Sequence, residues 1–169
     1  GANAVSVNGG NVKNTGIEVG LHWNDNIGKD FQYGANLTLA HNKNEVTKIA
    51  NKDGIIHGSG SVLWEGAEEC FRAEVGKPIG YFYGYKVEGV YQTQEEIEHS
   101  PKNTLATVTP GDLKFRDVNG DGEITTADRT MIGNPTPDIT YGFTLGLGYK
   151  NWELAVDMMG QGGNQIYRT

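Results

Sequence analysis

Two regions of this chain, one near each end, consist of paired segments in which apolar and polar residues alternate. Each pair is separated by a short polar turn. The four segments are residues 17–23, 31–40, 139–149 and 152–158. Because successive side chains of a β-strand point to opposite faces, alternation with a period of two predicts strands with one apolar face. Two such strands around a polar turn predict an antiparallel hairpin. The chain is therefore predicted to be all-β, with one hairpin near each end.

The face opposite the apolar stripe distinguishes two kinds of β-protein. In residues 139–149 this face carries Thr140, Thr144 and glycines, whereas the exterior of a β-sandwich is rich in lysine and glutamate. Small residues suit the water-filled interior of an outer-membrane barrel, whose strands carry aromatic residues at both ends of the apolar band. Such aromatic residues are Trp23, Phe31, Tyr149 and Trp152. The pattern favours antiparallel hairpins from a large outer-membrane β-barrel, and an ordinary β-sandwich stays open.

Composition excludes several classes of function. The net charge is −7, whereas a nucleic-acid-binding surface is basic. The single cysteine, Cys70, excludes an intrachain disulfide and a CxxC metal site. The four histidines lack the spacing of a zinc site. No constellation of a hydrolase or glycosidase is present, so no enzymatic activity is predicted.

Residues 117–128 match the calcium-binding loop of EF-hands and dockerins. Calcium takes about six to eight oxygen ligands, and alternate residues of a tight loop can direct oxygens to one centre. Gly122 stands at the sharp turn, and Ile124 is the apolar anchor. The predicted Ca²⁺ ligands are Asp117, Asn119, Asp121, Glu123 through its carbonyl, Thr125 directly or through a water, and Asp128. Asp128 replaces the glutamate of an EF-hand, so a shorter side chain must reach the metal.

The flanks of this calcium loop differ from the two helices of an EF-hand. Leu113 and Phe115 predict a short strand before the loop, and residues 128–132 leave room for about one helical turn before Pro135. The chain holds no second copy of the loop, so a structural calcium is predicted rather than a switch. An Asp/Asn/Gly-rich turn that needs no metal is the alternative.

Between the hairpins, residues 51–137 are predicted to form a long, partly structured loop region. Thr93 and Glu96 have the spacing of a capping box, which predicts a short helix over residues 93–99. An aromatic segment precedes it. Its candidate residues for contact with a ligand or partner are Tyr81, Phe82, Tyr83, Tyr85 and Tyr91, with packing inside the loop as the alternative.

Several motifs occur in a fixed order along the chain. They are residues 12–19, 42–47, 76–85 with 89–91, 110–115 with 117–122, and 132–138 with 141–143. Together they resemble the SusC/RagA-type TonB-linked outer-membrane transporters. The resemblance implies a large barrel in the bacterial outer membrane, plugged by an N-terminal domain and driven by TonB. It also implies import of oligosaccharides or peptides with a SusD-like surface lipoprotein as a lid.

Four strong strands cannot close a barrel, since the smallest barrels have about eight. The chain is therefore expected to be an incomplete barrel from the C-terminal part of such a transporter and to transport nothing alone. Residues 1–50 and 138–169 are expected to be barrel hairpins in the lipid bilayer, and residues 51–137 an extracellular loop region.

In isolation, this segment would expose apolar stripes and open strand edges to water. We expect it to self-associate or to fold the stripes under the long loop region. An alternative function stays open at this point: a secreted, calcium-stabilised β-domain that binds glycan through the aromatic segment.

Overall fold

The computed structural model describes residues 9–62 and 65–167. The strands in this part of the chain are β1 Gly10–Ile27, β2 Phe31–Ile49, β3 Ile55–His57, β4 Phe71–Glu74, β5 Tyr81–Tyr85, β6 Val87–Val90, β7 Lys102–Asn103, β8 Leu113–Phe115, β9 Glu123–Ile124, β10 Arg129–Gly133, β11 Ile139–Tyr149 and β12 Trp152–Gly162. Helix α1 spans Gln94–Glu98, and 3₁₀ turns span Gly60–Val62 and Thr126–Asp128. Within these residues, no helix is long and apolar enough to cross a lipid bilayer.

The chain forms two compact units. Unit 1 comprises the described residues of 1–55, 74–79 and 134–166. Unit 2 comprises those of 56–73 and 80–133, together with residue 167.

Unit 1 is built on an antiparallel sheet with the strand order β1-β2-β11-β12. Both hairpins expected from the alternation are present, and β2 pairs with β11 to join them. Gly28 (φ 69°) and Lys150 (φ 54°) shape the two turns. These turns lie at the same end of the sheet, where the Lys150 N–H donates to the Asp30 carbonyl at 2.9 Å. The chain that links β2 to β11 leaves from the opposite end.

The strand register gathers the apolar residues of unit 1 on one face, hereafter the apolar face. Its rows across β1, β2, β11 and β12 are Ile17, His41, Ile139, Gly162; Val19, Leu39, Tyr141, Gly160; Leu21, Leu37, Phe143, Met158; Trp23, Ala35, Leu145, Val156; Asp25, Tyr33, Leu147, Leu154; and Ile27, Phe31, Tyr149, Trp152. Many of these side chains are exposed, including Leu21 at 61 % and Trp152 at 81 %. The face is therefore not closed into the core of a sandwich within the described part of the chain.

The other side of the same sheet, hereafter the polar face, carries small and polar residues. Its central rows are Gly20, Thr38, Gly142, Met159; His22, Asn36, Thr144, Asp157; and Asn24, Gly34, Gly146, Ala155. The Thr144 hydroxyl donates to the Asp157 carboxylate at 2.7 Å, and Asn24 Nδ2 bonds to His22 Nε2 at 2.7 Å. The division of residues between the two faces agrees with the prediction from the sequence.

β1 and β2 continue past β11 at the end opposite the turns. The alternation places the start of β1 at Ile17, but the strand begins at Gly10 because residues 10–16 pair with the polar end of β2. Beyond Ile139, residues 75–77 cover the edge of β2 that β11 leaves free. Val46 N donates to the Lys77 carbonyl at 2.9 Å, and Gly76 N donates to the Val46 carbonyl at 2.8 Å.

Unit 2 has an interior of its own. A small sheet has the order β10-β5-β4-β3, and Cys70, Tyr81 and Phe82 are buried. The Phe82 ring packs against Phe71 and Tyr167, with ring centroids 5.9 and 5.6 Å apart.

Helix α1 confirms the helix predicted from Thr93 and Glu96. The Thr93 hydroxyl accepts the Glu96 N–H at 3.1 Å, as in a capping box. The Glu96 carboxylate, however, accepts the Gln92 N–H at 2.9 Å, one residue before the position that the motif predicts.

Candidate metal centre

The predicted calcium loop connects β8 to β10 in unit 2. β8 confirms the short strand expected from Leu113 and Phe115. Gly120 and Gly122 have φ values of 75° and 85°, in the left-handed region that a side chain disfavours. Glycine at these two positions lets the loop turn sharply twice within three residues.

Asp117, at loop position one, organises the first turn. Its Oδ1 accepts the Gly120 N–H at 2.6 Å, and its Oδ2 accepts the Gly122 N–H at 2.8 Å. One carboxylate therefore bonds to the amides of both left-handed glycines and holds the first turn of the loop.

The side chains of Asn119 and Asp121 each accept a hydrogen bond from the backbone N–H two residues later. Asn119 Oδ1 accepts the Asp121 N–H at 3.0 Å, and Asp121 Oδ1 accepts the Glu123 N–H at 2.9 Å. Asn119 Nδ2 also donates to Asp121 Oδ2 at 2.8 Å. The side chains at positions one, three and five are thus held by the backbone of the loop, while the Glu123 side chain is exposed.

Asp128, at position twelve, is fully buried. Its Oδ2 accepts the Thr125 N–H at 2.7 Å, and its Oδ1 accepts the Val118 N–H at 2.9 Å. Chiefly because the Thr125 amide bonds to it, the pKa of the Asp128 carboxyl lies below its ordinary value despite burial. Asp128 therefore joins the two ends of the loop as a carboxylate.

The exit from the loop differs from the sequence expectation. A helical turn was expected over residues 128–132, but the 3₁₀ turn is Thr126–Asp128 and β10 starts at Arg129. The reason is local: Thr125 caps the turn, with its hydroxyl accepting the Ala127 N–H at 3.1 Å. The expectation treated Asp128 as the start of the turn, whereas Asp128 ends it.

The second half of the loop is anchored in unit 2. Ile124 is buried, as expected for the apolar anchor. β9 pairs in parallel with β7, and the Ile124 carbonyl accepts bonds from the N–H and hydroxyl of Thr104 at 3.1 and 2.9 Å. The Gly122 carbonyl accepts the Lys102 N–H at 3.0 Å.

The donor chemistry of the loop suits a hard cation. Asp117, Asn119 and Asp121 present oxygen atoms, and a carboxylate has about four lone-pair sites, so bonds from one or two N–H groups leave capacity for a metal. Carboxylates alone do not form the site: in the described residues, no group of three or more His, Cys, Asp or Glu side chains is placed to hold a metal ion. A cation in this loop would need the amide, hydroxyl and carbonyl oxygens as well.

Arg129, directly after the loop, is a residue that the sequence analysis missed. Its guanidinium lies 4.7 Å from the Tyr83 ring centroid, and Arg72 lies 3.4 Å from the same centroid. Arg129 Nη2 also donates to the Glu69 carbonyl. Arg72 in turn donates to the Glu69 carboxylate at 2.7 and 3.0 Å. Burial raises the pKa of Glu69, but the hydrogen bonds and positive charges of Arg72 and His57 together outweigh burial and hold the pKa below its ordinary value.

The aromatic residues predicted to contact a ligand or partner differ in how far they are buried. Tyr81, Phe82 and Tyr91 are buried, while Tyr83 and Tyr85 are half-buried. The Tyr85 ring packs on Phe115 with centroids 5.3 Å apart, so β5 contacts the strand that leads into the calcium loop. Contact with a ligand or partner stays a prediction for these residues.

Comparison with known proteins points to one family, although no family model matches the chain. TonB-dependent receptors P3 and P26 of Formosa agariphila are 34 % and 33 % identical over 93 % and 99 % of this chain. The TonB-dependent receptor SusC of Bacteroides thetaiotaomicron is 24 % identical over 94 % of it. The chain spans only 15 to 16 % of the length of these relatives.

Two solved structures share the fold. The RagAB peptide importer in the closed-closed state matches with a TM-score of 0.64 at 22 % identity, over 93 % of this chain and 16 % of that one. The RagAB peptide transporter matches with a TM-score of 0.62 at 23 % identity, over 90 % and 15 %. These matches establish the all-β antiparallel fold of the segment.

Proposed function

We propose that this chain is a segment of a TonB-dependent receptor of the SusC/RagA type and forms part of the barrel wall of such an importer. These receptors are outer-membrane proteins and not enzymes. The chain is accordingly located in the outer membrane. The observation that carries the proposal is the sheet of unit 1. Its apolar face is exposed across four strands, and its polar face consists of small and polar residues.

The dimensions of the apolar face fit a bilayer. At about 3.3 Å per residue, β1 rises about 33 Å from Ile17 to Ile27. A strand tilted by about 40° then spans about 25 Å, which is the height of the apolar band of outer-membrane barrels. Phe31, Tyr149 and Trp152 lie in the row nearest the turns, where an aromatic girdle belongs.

The ends of the sheet suggest its orientation. Outer-membrane barrels have short turns on the periplasmic side and long loops outside. We therefore assign the turns at Gly28 and Lys150 to the periplasm and the segment between β2 and β11 to the cell exterior. β1 and β12 are the edges of an incomplete barrel, and each would pair with a neighbouring strand of the full-length receptor.

We propose that the loop of residues 117–128 binds one structural Ca²⁺ through Asp117, Asn119, Asp121, the Glu123 carbonyl, Thr125 and Asp128. The glycine geometry, the backbone-held oxygens and the buried anchor Ile124 support this assignment. When bound, the ion would offset the charge of the three loop carboxylates and so brace the extracellular loop.

The transported substrate and the partners follow from the relatives and are proposals. We propose import of oligosaccharides or other large nutrients, peptides included, energised by TonB and captured with a SusD-like surface lipoprotein. Tyr83 and Tyr85 are the aromatic candidates with exposed surface for such contacts. The test is purification of the full-length receptor from its own membranes. A surface lipoprotein that co-purifies in equal amount supports the proposal, and a receptor that purifies alone at mild detergent concentration contradicts the partnership.

The wall assignment has a test of its own. Leu37 and Asn36 are neighbours on β2 with opposite faces, apolar and polar. Arginine on the lipid face near the bilayer centre costs about 2–4 kcal/mol, whereas a residue on the polar face carries no such penalty. In the full-length receptor, Leu37→Arg should reduce the folded, heat-modifiable form in the outer membrane, and Asn36→Arg should not. Equal yields for both variants would contradict a lipid-facing sheet.

A further inference from the structure

The end of the sheet opposite the turns carries a basic cluster on the lipid side. In the rows beyond Ile17 and His41, Thr15 pairs with Lys43, and Lys13 pairs with Glu45. Paired residues share a face, and these positions continue the odd-numbered series of the apolar face. Lys13, Lys43 and His41 are exposed, and the Lys43 side chain is 70 % exposed.

The opposite side of the same rows is uncharged. There Asn14 pairs with Asn44, and Gly16 pairs with Asn42. Asn44 Nδ2 donates to Asn14 Oδ1 at 2.7 Å, and Asn44 Oδ1 accepts the Ile79 N–H at 2.8 Å. The basic side chains are therefore placed on one side of β1 and β2, the side that continues the apolar face.

Lys43 lies at the height of the headgroup layer, and Lys13 lies just above it. Lys43 lies two residues beyond the row of Ile17, and Lys13 lies four residues beyond it. At about 3.3 Å per residue and a tilt of about 40°, these positions are about 5 and 10 Å above the apolar band. A bilayer adds about 5–8 Å of headgroup on each side of its hydrocarbon core, and lysine side chains near that boundary extend into it.

From this continuity and charge we propose that Lys13 and Lys43, with His41 beside them, bind the phosphate of anionic lipid headgroups in the outer leaflet. The site rests on the proposed barrel wall, since it needs the apolar face in lipid. Among the described residues of these rows, Glu45 is the opposing charge on this face, and its carboxylate accepts from the Lys43 ammonium at 2.8 Å. Glu45 also pairs with Lys13 across the strands and interacts with its charge, so Glu45 partly offsets both lysines and limits the affinity of the site.

The experiment uses the full-length receptor in bilayers that contain a photoactivatable phosphatidylglycerol, with cross-links mapped to peptides by mass spectrometry. A lysine close to an anionic surface contributes up to about fivefold in binding, and Glu45 offsets part of this contribution, so Lys13→Gln with Lys43→Gln should lower cross-linking at residues 10–16 and 41–45 by about 5- to 25-fold. Glu45→Gln should raise it. The matched control is Lys29→Gln with Lys150→Gln, which removes the same charge at the turn end and should leave the yield unchanged.

The outcomes separate this site from the wall assignment. A photoactivatable phosphatidylcholine should cross-link along the apolar face in every variant, with no effect of the lysines, and free inorganic phosphate should not compete. If the apolar face cross-links but the lysine variants match wild type, the headgroup site is wrong and the wall assignment stands. If neither lipid cross-links to the apolar face, the wall assignment fails, and this site fails with it.

Discussion

The sheet of unit 1 exposes a contiguous patch of large apolar side chains across four strands, whereas unit 2 buries a small apolar core of its own. On the sheet of unit 1, Leu21 and Trp152 are mostly exposed, while Ile124 and Tyr81 of unit 2 are 1 % exposed. Singly exposed apolar residues are normal on a protein surface, whereas a large contiguous apolar patch marks a surface that meets something other than water. In the proposed function, the sheet of unit 1 therefore depends on contact with the bilayer, and unit 2 depends on its own packing.

The largest expected effect is at the core of unit 2. Ile124→Ala removes buried methyl groups beneath the calcium loop and should lower the free energy of unfolding by about 2–5 kcal/mol. The matched change in unit 1, Leu21→Ala, alters a lipid-facing residue and should cost under about 1 kcal/mol in a bilayer. Urea titration of the receptor reconstituted in lipid bilayers measures both costs, with unfolding of unit 2 followed by proteolysis of the loop region and unfolding of the barrel followed by its electrophoretic migration. Equal losses in the free energy of unfolding for the two variants would contradict the difference in packing between the two units.

Calcium should stabilise unit 2 and leave the sheet of unit 1 unaffected. At a free calcium concentration of about 100 times Kd, a single site adds about 2.7 kcal/mol of stability. We expect the melting temperature of the loop region to fall when EDTA is added and to recover with excess Ca²⁺. In the double variant Asp117→Ala with Asp121→Ala, the melting temperature should change neither with EDTA nor with Ca²⁺. A wild-type melting temperature that does not change with EDTA would contradict calcium binding by this loop.

Glycine should matter differently in the two units. Gly122 has φ 85°, so Gly122→Ala forces a left-handed alanine and should cost about 1–2 kcal/mol. Gly146 lies in a strand, and an added Cβ would have only the Gly34 carbonyl oxygen near it, at 4.0 Å. Gly146→Ala should therefore be neutral or stabilise the sheet by about 0.5 kcal/mol. Chemical denaturation of both variants gives the sign of each change.

The smallest expected effect on stability near neutral pH comes from Asp128, because its carboxyl is protonated only in acid. Its pKa is lowered on folding, so its contribution is complete above the unfolded value of about 3.9 and is lost as pH falls through the folded value. Unit 2 should therefore lose stability below about pH 4. Asp128→Asn should be less stable than wild type at pH 6 and should show a flatter decline in acid. Glu123→Gln, an exposed change in the same loop, is the control. An identical acid profile for Asp128→Asn would contradict the capping role of Asp128.

Sequence alone predicts the sheet well where the environment of each face is uniform. Residues 17–23 and 139–149 meet one kind of medium on each side, so a period of two identifies both faces. Apart from Val12, residues 10–16 are glycines and polar residues without alternation, so the sequence predicts the start of β1 seven residues too late. The edge cover by residues 75–77 was also missed, because it depends on pairing between distant parts of the chain.

The turns of residues 117–122 could be predicted because their bonds are local, while calcium binding there stays a proposal. Asp117, Asn119 and Asp121 bond to amides within five residues, so the spacing in the sequence specifies the turns. The group of Arg72, Tyr83 and Arg129 joins residues that are far apart in sequence, and no local pattern marks it. The predicted position of the exit turn is wrong because Thr125 caps the turn and so starts it at Thr126, before Asp128.

The central claim, that the apolar face of unit 1 contacts lipid, is tested most directly by quenching of Trp152, which is 81 % exposed in the row nearest the turns. The full-length receptor is reconstituted with lipids brominated at successive depths, and its fluorescence is compared with that of Trp152→Phe. The account predicts that the Trp152 component is quenched most strongly by bromines near the headgroup on the periplasmic side. A Trp152 component quenched by aqueous iodide and by no brominated lipid would contradict it.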